Sequence, residues 1–386
     1  MKKKAVLIGA GQYGRGVIAM LLSQAGYSVL LADINMAVVD DVNRRGEYTV
    51  RRIHESDSCV TVRDVSAVSS LDASLPAFCA EADIICTCVG LSVLPKIAGV
   101  IAEAVVLRRE KMPDSFLNVL ACENAIGGST VLKGHVLSHL EEETAAWLEE
   151  HTGFPDCAID GIIPPVHDAL PADVTAEEYY EWDSLKSGFR GELPKINGLH
   201  IVDDLAPYLE RKLFTLNGPN AVTGAYGHLK GYDTVQAALS DPDIYSGVWE
   251  MMTEAGAMLS ARHGFSEEEM LSYRSFIMER FRNPSIIDSC ERVAREPLRK
   301  LAANDRIVAA MNYAHAAGLA VPSYYKGIAV MMTYNNPADA QSVELQQMIK
   351  ELGFPAALEK ITGLSPSEPC FRAIEAEYSK IKNGAD

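Results

Sequence analysis

Positive charge is what this sequence has too little of. Its 35 lysines and arginines face 52 aspartates and glutamates, a formal net charge of −17. A chain so acidic offers neither a nucleic acid nor an anionic membrane a surface to hold, and an anionic small molecule must meet a local cluster of arginine and lysine. Long apolar runs are missing too. No segment has the roughly 20 apolar residues that a bilayer span needs. The opening MKKKAVLIGAGQYGRG breaks its short apolar run with glycine, glutamine and arginine before a signal-peptide core is reached. Closely spaced cysteines are nearly absent. The eight present (Cys59, Cys79, Cys86, Cys88, Cys122, Cys157, Cys290, Cys370) are scattered. The one close pair, Cys86 and Cys88, alternates along what reads as a buried strand, so they are read as small core thiols rather than metal ligands. There is no low-complexity tract and no internal repeat at the usual periods. These absences fit a globular protein of a reducing cytoplasm, with a small molecule rather than a nucleic acid or membrane as partner.

What is present is length enough for two cores: 386 residues exceed what one hydrophobic core usually supports. KAVLIG at 4–9 is a short apolar strand that ends in glycines and runs into the helical pattern GRGVIAMLLSQAG, after which SVLLAD is a second strand. Strand, crossover helix and strand within so short a span make a right-handed βαβ unit. YTVRRI and CVTVRDV alternate like strands. ADIICTCVG and FLNVLACEN read as buried parallel strands around a helix at 93–109, residues 129–151 read as one helix, and DCAIDGIIPP as one more strand. Past about residue 195 the character changes to amphipathic helices, such as LAPYLERKLFTL and YSGVWEMMTEAGAMLSARHG, several bounded by Ser, Asp or Pro before and glycine after. The expected fold is α/β: a Rossmann-type doubly wound sheet over residues 1–195, then a mostly α-helical domain over 196–386.

Gly9, Gly11 and Gly14 form a GxGxxG directly after a strand and at the opening of a helix, and Asp33 ends the next strand about twenty residues on. That context makes the motif a dinucleotide fingerprint. Gly9 allows the tight turn, Gly11 lets the backbone approach a pyrophosphate, and Gly14 lets the helix pack on the strand, with helix amides receiving the phosphate charge. Asp33 can accept both hydroxyls of an adenosine ribose and would repel a 2′-phosphate, so the expected cofactor is NAD. Arg15, at the helix start, can soften that preference.

A nicotinamide enzyme that oxidises an alcohol needs a base for the hydroxyl proton and donors for the developing oxygen charge. ERKLFTLNGPNAVTGAYG supplies Lys212 as a candidate base and the Asn217 and Asn220 carboxamides as uncharged donors. A lysine is protonated at neutral pH at its ordinary pKa, and burial lowers it toward the useful range. On an ideal helix Asn217 does not share the face of Lys212, so Pro219 or a local unwinding must bring them together. From these residues alone, Lys212 reads rather as a solvated helix residue.

That segment, with IGAGQYGRG, LACENAIGGSTVLKGH at 120–135 and RVAREPLRKLAANDRI at 292–307, resembles the polyol-specific long-chain dehydrogenases, the family of mannitol dehydrogenase and mannitol-1-phosphate 5-dehydrogenase. The resemblance runs in order through nearly the whole chain. It implies an NAD-dependent enzyme, a monomer or homodimer, that interconverts a polyol phosphate and a keto sugar phosphate. It also implies Lys212 as general base, Asn217 as part of a Lys-x4-Asn-x2-His signature, and Asn124 as a holder of the reacting oxygen. Three positions depart from the pattern. Asn220 stands where the signature has histidine, Gly161 replaces the arginine of Asp-Arg-Ile, and Ala309 and Ala310 replace the Lys-Pro that follows Asp305-Arg306. Two positive charges are thereby lost. Arg292, Arg295, Arg299, Lys300 and Arg306 remain as a basic cluster. Of these, Arg299, Lys300 and Arg306 are the substrate-binding candidates, and the alternative is that the cluster caps helices and pairs with Glu291 and Glu296. An unphosphorylated polyol, a sugar acid or another hydroxy acid is the alternative substrate, and a cofactor-binding sensor that has lost catalysis is the alternative class. His135 and His139 are four apart on a helix but lack a third partner, so no metal is expected. His228 can replace the missing histidine only if its helix bends, and His315 reads as structural.

Overall fold

The apolar run after Lys4 is buried without exception: Ala5, Val6, Leu7 and Ile8 are each at most 2% exposed. A strand covered on both faces belongs inside a parallel sheet, and in the computed structural model of the chain β1 (Lys4–Ile8) lies at the centre of one. The described residues are 2–53, 58–161, 170–177, 179–284 and 287–384. In chain order the next strands are β2 (Ser28–Asp33), β3 (Glu47–Ile53), β4 (Ser58–Arg63), β5 (Val65–Ser69), β6 (Ile84–Thr87), β7 (Leu117–Ala121) and β8 (Thr152–Gly153). The main sheet has the order β5-β2-β1-β6-β7-β8, with every pairing parallel. Strand order reverses between β1 and β6, and in such sheets the crevice at the carboxyl ends of those two strands is where a ligand binds.

Several expectations change at this level. CVTVRDV is not one strand. Asp64 takes a left-handed φ of 55°, which turns the chain, so that β4 pairs antiparallel with β3 while β5 joins the edge of the main sheet beside β2. The helical stretch 129–151 is likewise two helices, Gly128–Leu137 and Glu142–His151. Among its described residues DCAIDGIIPP contributes β9 (Cys157–Asp160). This strand pairs antiparallel with β11 (Glu181–Leu185) outside the main sheet, and residues 162–169 lie outside the described ones. β10 (Val174–Glu177) pairs with β3, and β12 (His200–Val202) pairs with β11.

The chain divides into two units, Met1–Tyr208 and Leu209–Asp386. β12 belongs to a sheet of the first unit. Among the described residues of the second unit the regular structure is helical. Its helix Pro242–His263 buries Val248, Met252, Ala255 and Leu259, and Pro322–Thr333 buries Ile328 through Met332. Each large apolar side chain so covered contributes about 1.5–3 kcal/mol. Helix starts are fixed by the side chains that the sequence places there: Asp241 accepts from the Asp243 and Ile244 amides, and Ser266 with Glu269 forms a capping box. No helix among the described residues is long and apolar enough to cross a membrane.

Candidate active site

In the first unit the three glycines have three different surroundings. Gly9 has φ 89°, and a Cβ there would lie 2.5 Å from the Cys88 carbonyl oxygen; one at Gly14 would lie 2.5 Å from the Gly9 carbonyl oxygen. Both are demanded by the turn and by the packing of helix on strand. A Cβ at Gly11 would meet nothing within 4 Å, so this backbone faces open space. A dinucleotide pyrophosphate fits that arrangement, which closes on protein at two glycines and opens at the third. Asp33, half-buried at the end of β2, accepts the Asn35 amide at 2.8 Å through one carboxylate oxygen. Arg15 does not serve as expected. It is 6% exposed, and its guanidinium turns inward to donate to the carbonyls of Ala172 (2.9 Å), Pro171 (3.4 Å) and Ala10, away from any 2′-phosphate.

Asn124 is exposed just past the end of β7. The residue before it was missed in the sequence. Glu123 is 5% exposed and accepts the Thr87 hydroxyl at 2.7 Å and the Val89 and Gly90 amides at 3.0 and 2.7 Å. It thereby ties the turn that carries Asn124 to the loop after β6. The signal was there, an acid inside an otherwise apolar strand end. Gly161 has a local reason: its Cβ would lie 3.1 Å from Cε2 of Tyr13, so an arginine there would press on that ring. Ile162, the last residue of the same motif, lies outside the described residues. The cysteines are less scattered in space than in sequence. Cys86, Cys88 and Cys157 gather round Cys122, whose thiol is pushed well up, first by burial and then by these neighbours. A thiol so raised stays protonated, as at Cys122. All eight are free, and no group of three or more His, Cys, Asp or Glu among the described residues is placed to hold a metal ion.

In the second unit the helix does what an ideal wheel forbids. Ala206–Arg211 is α-helical, Lys212–Asn217 is wound in π fashion, and Gly218–Lys230 is α-helical again. In an α-helix five residues turn through about 500°, which leaves position i+5 about 140° away from i. Hydrogen bonding from i to i+5 closes the turn over those five residues and stacks them. Here Gly218 N–H donates to Leu213 O, five residues back. Asn217 is thus returned to the face of Lys212, and Asn220 follows within about 60° of Asn217 by ordinary α geometry. All three are half-buried. The Asn220 Oδ1 atom is buried with no hydrogen-bond partner among the described residues.

Gly218 also joins this turn to the basic segment. A Cβ there would lie 2.9 Å from the Arg306 carbonyl oxygen, so Asp305-Arg306 sits directly against it. Within the basic segment the charges are engaged locally. Arg299 pairs with Glu296 at 2.7 Å and with Asp305 at 3.4 Å, Arg306 pairs with Asp305 at 2.6 Å, and Arg292 pairs with Asp288 rather than Glu291. Lys300 is 5% exposed, and its ammonium nitrogen donates to the Val293 carbonyl at 2.6 Å. Burial, followed by the charges of Arg306 and Arg299, lowers its pKa to about 7. Ala309 and Ala310 are buried in the helix Val308–Ala316. His228 stays at the far end of an unbroken helix, with Nε2 at 3.0 Å from the Asn335 carbonyl oxygen, and does not join Asn220. His315 is bound to the Tyr325 hydroxyl at 2.9 Å.

Residues 3–198 match the family model described as the mannitol dehydrogenase Rossmann domain, and residues 204–375 match that of the mannitol dehydrogenase C-terminal domain. Among solved structures, a D-sorbitol dehydrogenase in substrate-free form is similar at 15% identity and TM-score 0.85, covering 100% of this chain and 94% of that one. The Pseudomonas fluorescens mannitol 2-dehydrogenase, solved with NAD and D-mannitol, is similar at 18% identity and TM-score 0.70, covering 100% and 92%. At such identities the structures establish the shared fold. The matches of both domains carry more: the chain belongs to the mannitol dehydrogenase family, as an NAD-dependent dehydrogenase that acts on a CH–OH group.

Proposed function

We propose that the chain interconverts a polyol phosphate of the mannitol 1-phosphate kind with the keto sugar phosphate of the fructose 6-phosphate kind. When bound, NAD supplies the hydride acceptor. Gly9 and Gly14 shape the turn whose opening at Gly11 would take its pyrophosphate, and Asp33 would hold its adenosine ribose. Lys212 Nζ takes the proton of the secondary hydroxyl. Asn217 and Asn124 donate to the oxygen as it becomes a carbonyl, and Asn220 orients a neighbouring hydroxyl through a carboxamide that exchanges no proton. The observation that carries this reading is the π-wound turn, which puts Lys212, Asn217 and Asn220 on one face. The phosphate assignment is supported by the Arg306 segment, which Gly218 admits to the same turn.

A second reading, an unphosphorylated polyol or a sugar acid, draws support from the pairing of Arg299 and Arg306 with Glu296 and Asp305, which leaves less charge for a phosphate. NADH oxidation with D-fructose 6-phosphate, and beside it with D-fructose, separates the two. Turnover of the phosphate alone supports the first reading, and turnover of the free sugar the second. If neither sugar is reduced while NADH still binds, the first reading fails and the search moves to other keto compounds, with the sensor role left for a protein that turns over none of them.

A further inference from the structure

The π-wound turn has a missing rung. Gly218 N–H donates to Leu213 O, so the next bond in that register would run from residue 219 to the Phe214 carbonyl. Residue 219 is proline and has no N–H. A buried carbonyl without a donor is costly, and an ordinary helix escapes the problem by shifting register. Here another side chain reaches the orphan. Tyr324, 1% exposed, donates its hydroxyl to Phe214 O at 3.4 Å, a long bond inside the apolar core of the second unit. Its backbone is pinned in turn. Glu254 accepts the Ser323 amide at 3.0 Å and the Tyr324 amide at 3.3 Å, which fixes the start of the helix Pro322–Thr333. Burial pushes the phenol far above its ordinary pKa, so it stays a donor. Phe214 itself is held by its edge-on contact with Tyr313, with centroids 5.9 Å apart.

We infer that Tyr324 is a positioning residue: its hydroxyl replaces the rung that Pro219 removes, and so keeps Lys212 and Asn217 on one face. Tyr324 touches neither cofactor nor substrate in this role; it acts through the Phe214 carbonyl. The inference rests on the reading of Lys212 and Asn217 as the reacting pair.

The test is a cycle of Tyr324→Phe, Pro219→Ala and the double variant in the full chain, with Lys212→Ala alongside. It is read by crystal structures and by NADH oxidation with D-fructose 6-phosphate and with D-fructose. In Y324F the Gly218 amide is expected to leave Leu213 O for Phe214 O, and kcat to fall roughly 100-fold while NADH binding is unchanged. Adding P219A restores an amide at the missing rung, so the double variant should return to within about threefold of P219A. A tyrosine that only fills space gives no such rescue. Retention of the Leu213 bond in Y324F, or a double variant as slow as Y324F, overturns the inference. Should Y324F alone not fold, folding of the double variant is the expected result and its failure overturns the inference equally. The crystal structures decide the matter without turnover, and near-normal turnover in K212A sinks the base assignment separately.

Discussion

The two units place their functional residues by different devices. In Met1–Tyr208 the placement follows from strand register. Parallel pairing of β1 with β2 and with β6 brings Gly9 and Asp33 to the same end of the sheet, and glycines allow the backbone to come close where a side chain would collide. Among the described residues of Leu209–Asp386 the placement follows from one extra residue in a helical turn, with no strand taking part. The first device is spelled out in residue types at fixed spacing. The second depends on hydrogen-bond partners that lie a hundred residues away, as Tyr324 does from Phe214.

The largest effect should come from removing the amine on which the second device depends. Lys212→Ala is expected to lower kcat by about 10³-fold or more and to leave NADH binding within about twofold, because the GxGxxG lies in the other unit. Stopped-flow turnover with an NADH fluorescence titration checks both. A loss of only a few-fold would remove the base assignment and with it the functional half of the contrast.

Next come the glycines, where the first device can be split in two. Gly9→Ala brings a Cβ to 2.5 Å from the Cys88 carbonyl at a φ of 89°, so the folded state itself should suffer, by about 2 kcal/mol or more in thermal melts. Gly11→Ala meets nothing within 4 Å. Its melting should stay near that of the parent, while NADH binding weakens by about tenfold or more because the methyl occupies the approach to the pyrophosphate. Equal destabilisation by both would mean that Gly11 is packed on protein and that the open cradle is misread.

How far the sequence is legible follows the same division. The GxGxxG, Asp33 and the central strands were readable because their signals are local: apolar runs, glycine spacing, an acid at a strand end. Asp64 was not, because a non-glycine residue with positive φ leaves no mark in an alternating pattern. Glu123 stands out as an acid in an apolar strand end, but its role is not readable within its motif, since its partners, Thr87, Val89 and Gly90, come from another strand end. In the second unit the need for a distortion between Lys212 and Asn217 was readable from a helical wheel. Its form was not, because i→i+5 winding is settled by Tyr324 and by the Arg306 segment on Gly218, both distant in sequence. Arg15 was misread because its burial depends on the Ala172 carbonyl, far along the chain.

A pH-dependent effect tests the basic segment. Lys300 has its folded pKa lowered from 10.5 to about 7, so the unfolded chain binds more protons over that interval and stability rises with pH across it, by at most about 1.4 kcal/mol per unit. Below pH 7 both states are protonated and the dependence ends. Lys300→Met removes this term. The stability difference between parent and variant, from denaturant midpoints at pH 6 to 10, should therefore change steadily above about pH 7 in favour of the parent. A flat difference would show that the ammonium keeps its charge beside Arg306 and Arg299.

The smallest effect is expected at Asn220, and it bears most directly on the chemistry. The residue shares its face with Lys212, and its Oδ1 atom is buried with no protein partner among the described residues, so it can accept from a substrate hydroxyl. A carboxamide does not titrate. With Lys212 as the base, the turn therefore carries one ionisable group, and Asn220 adds no ionisation of its own to the pH profile of kcat. Asn220→His places an imidazole at the same point. It should keep kcat within about threefold at pH 8, where the ring is neutral, and add an ionisation near pH 6.5 that is absent from the parent. If the parent already shows that second ionisation, another titrating group faces the substrate, and Lys300, with its pKa near 7 beside the Arg306 segment, is the first to substitute.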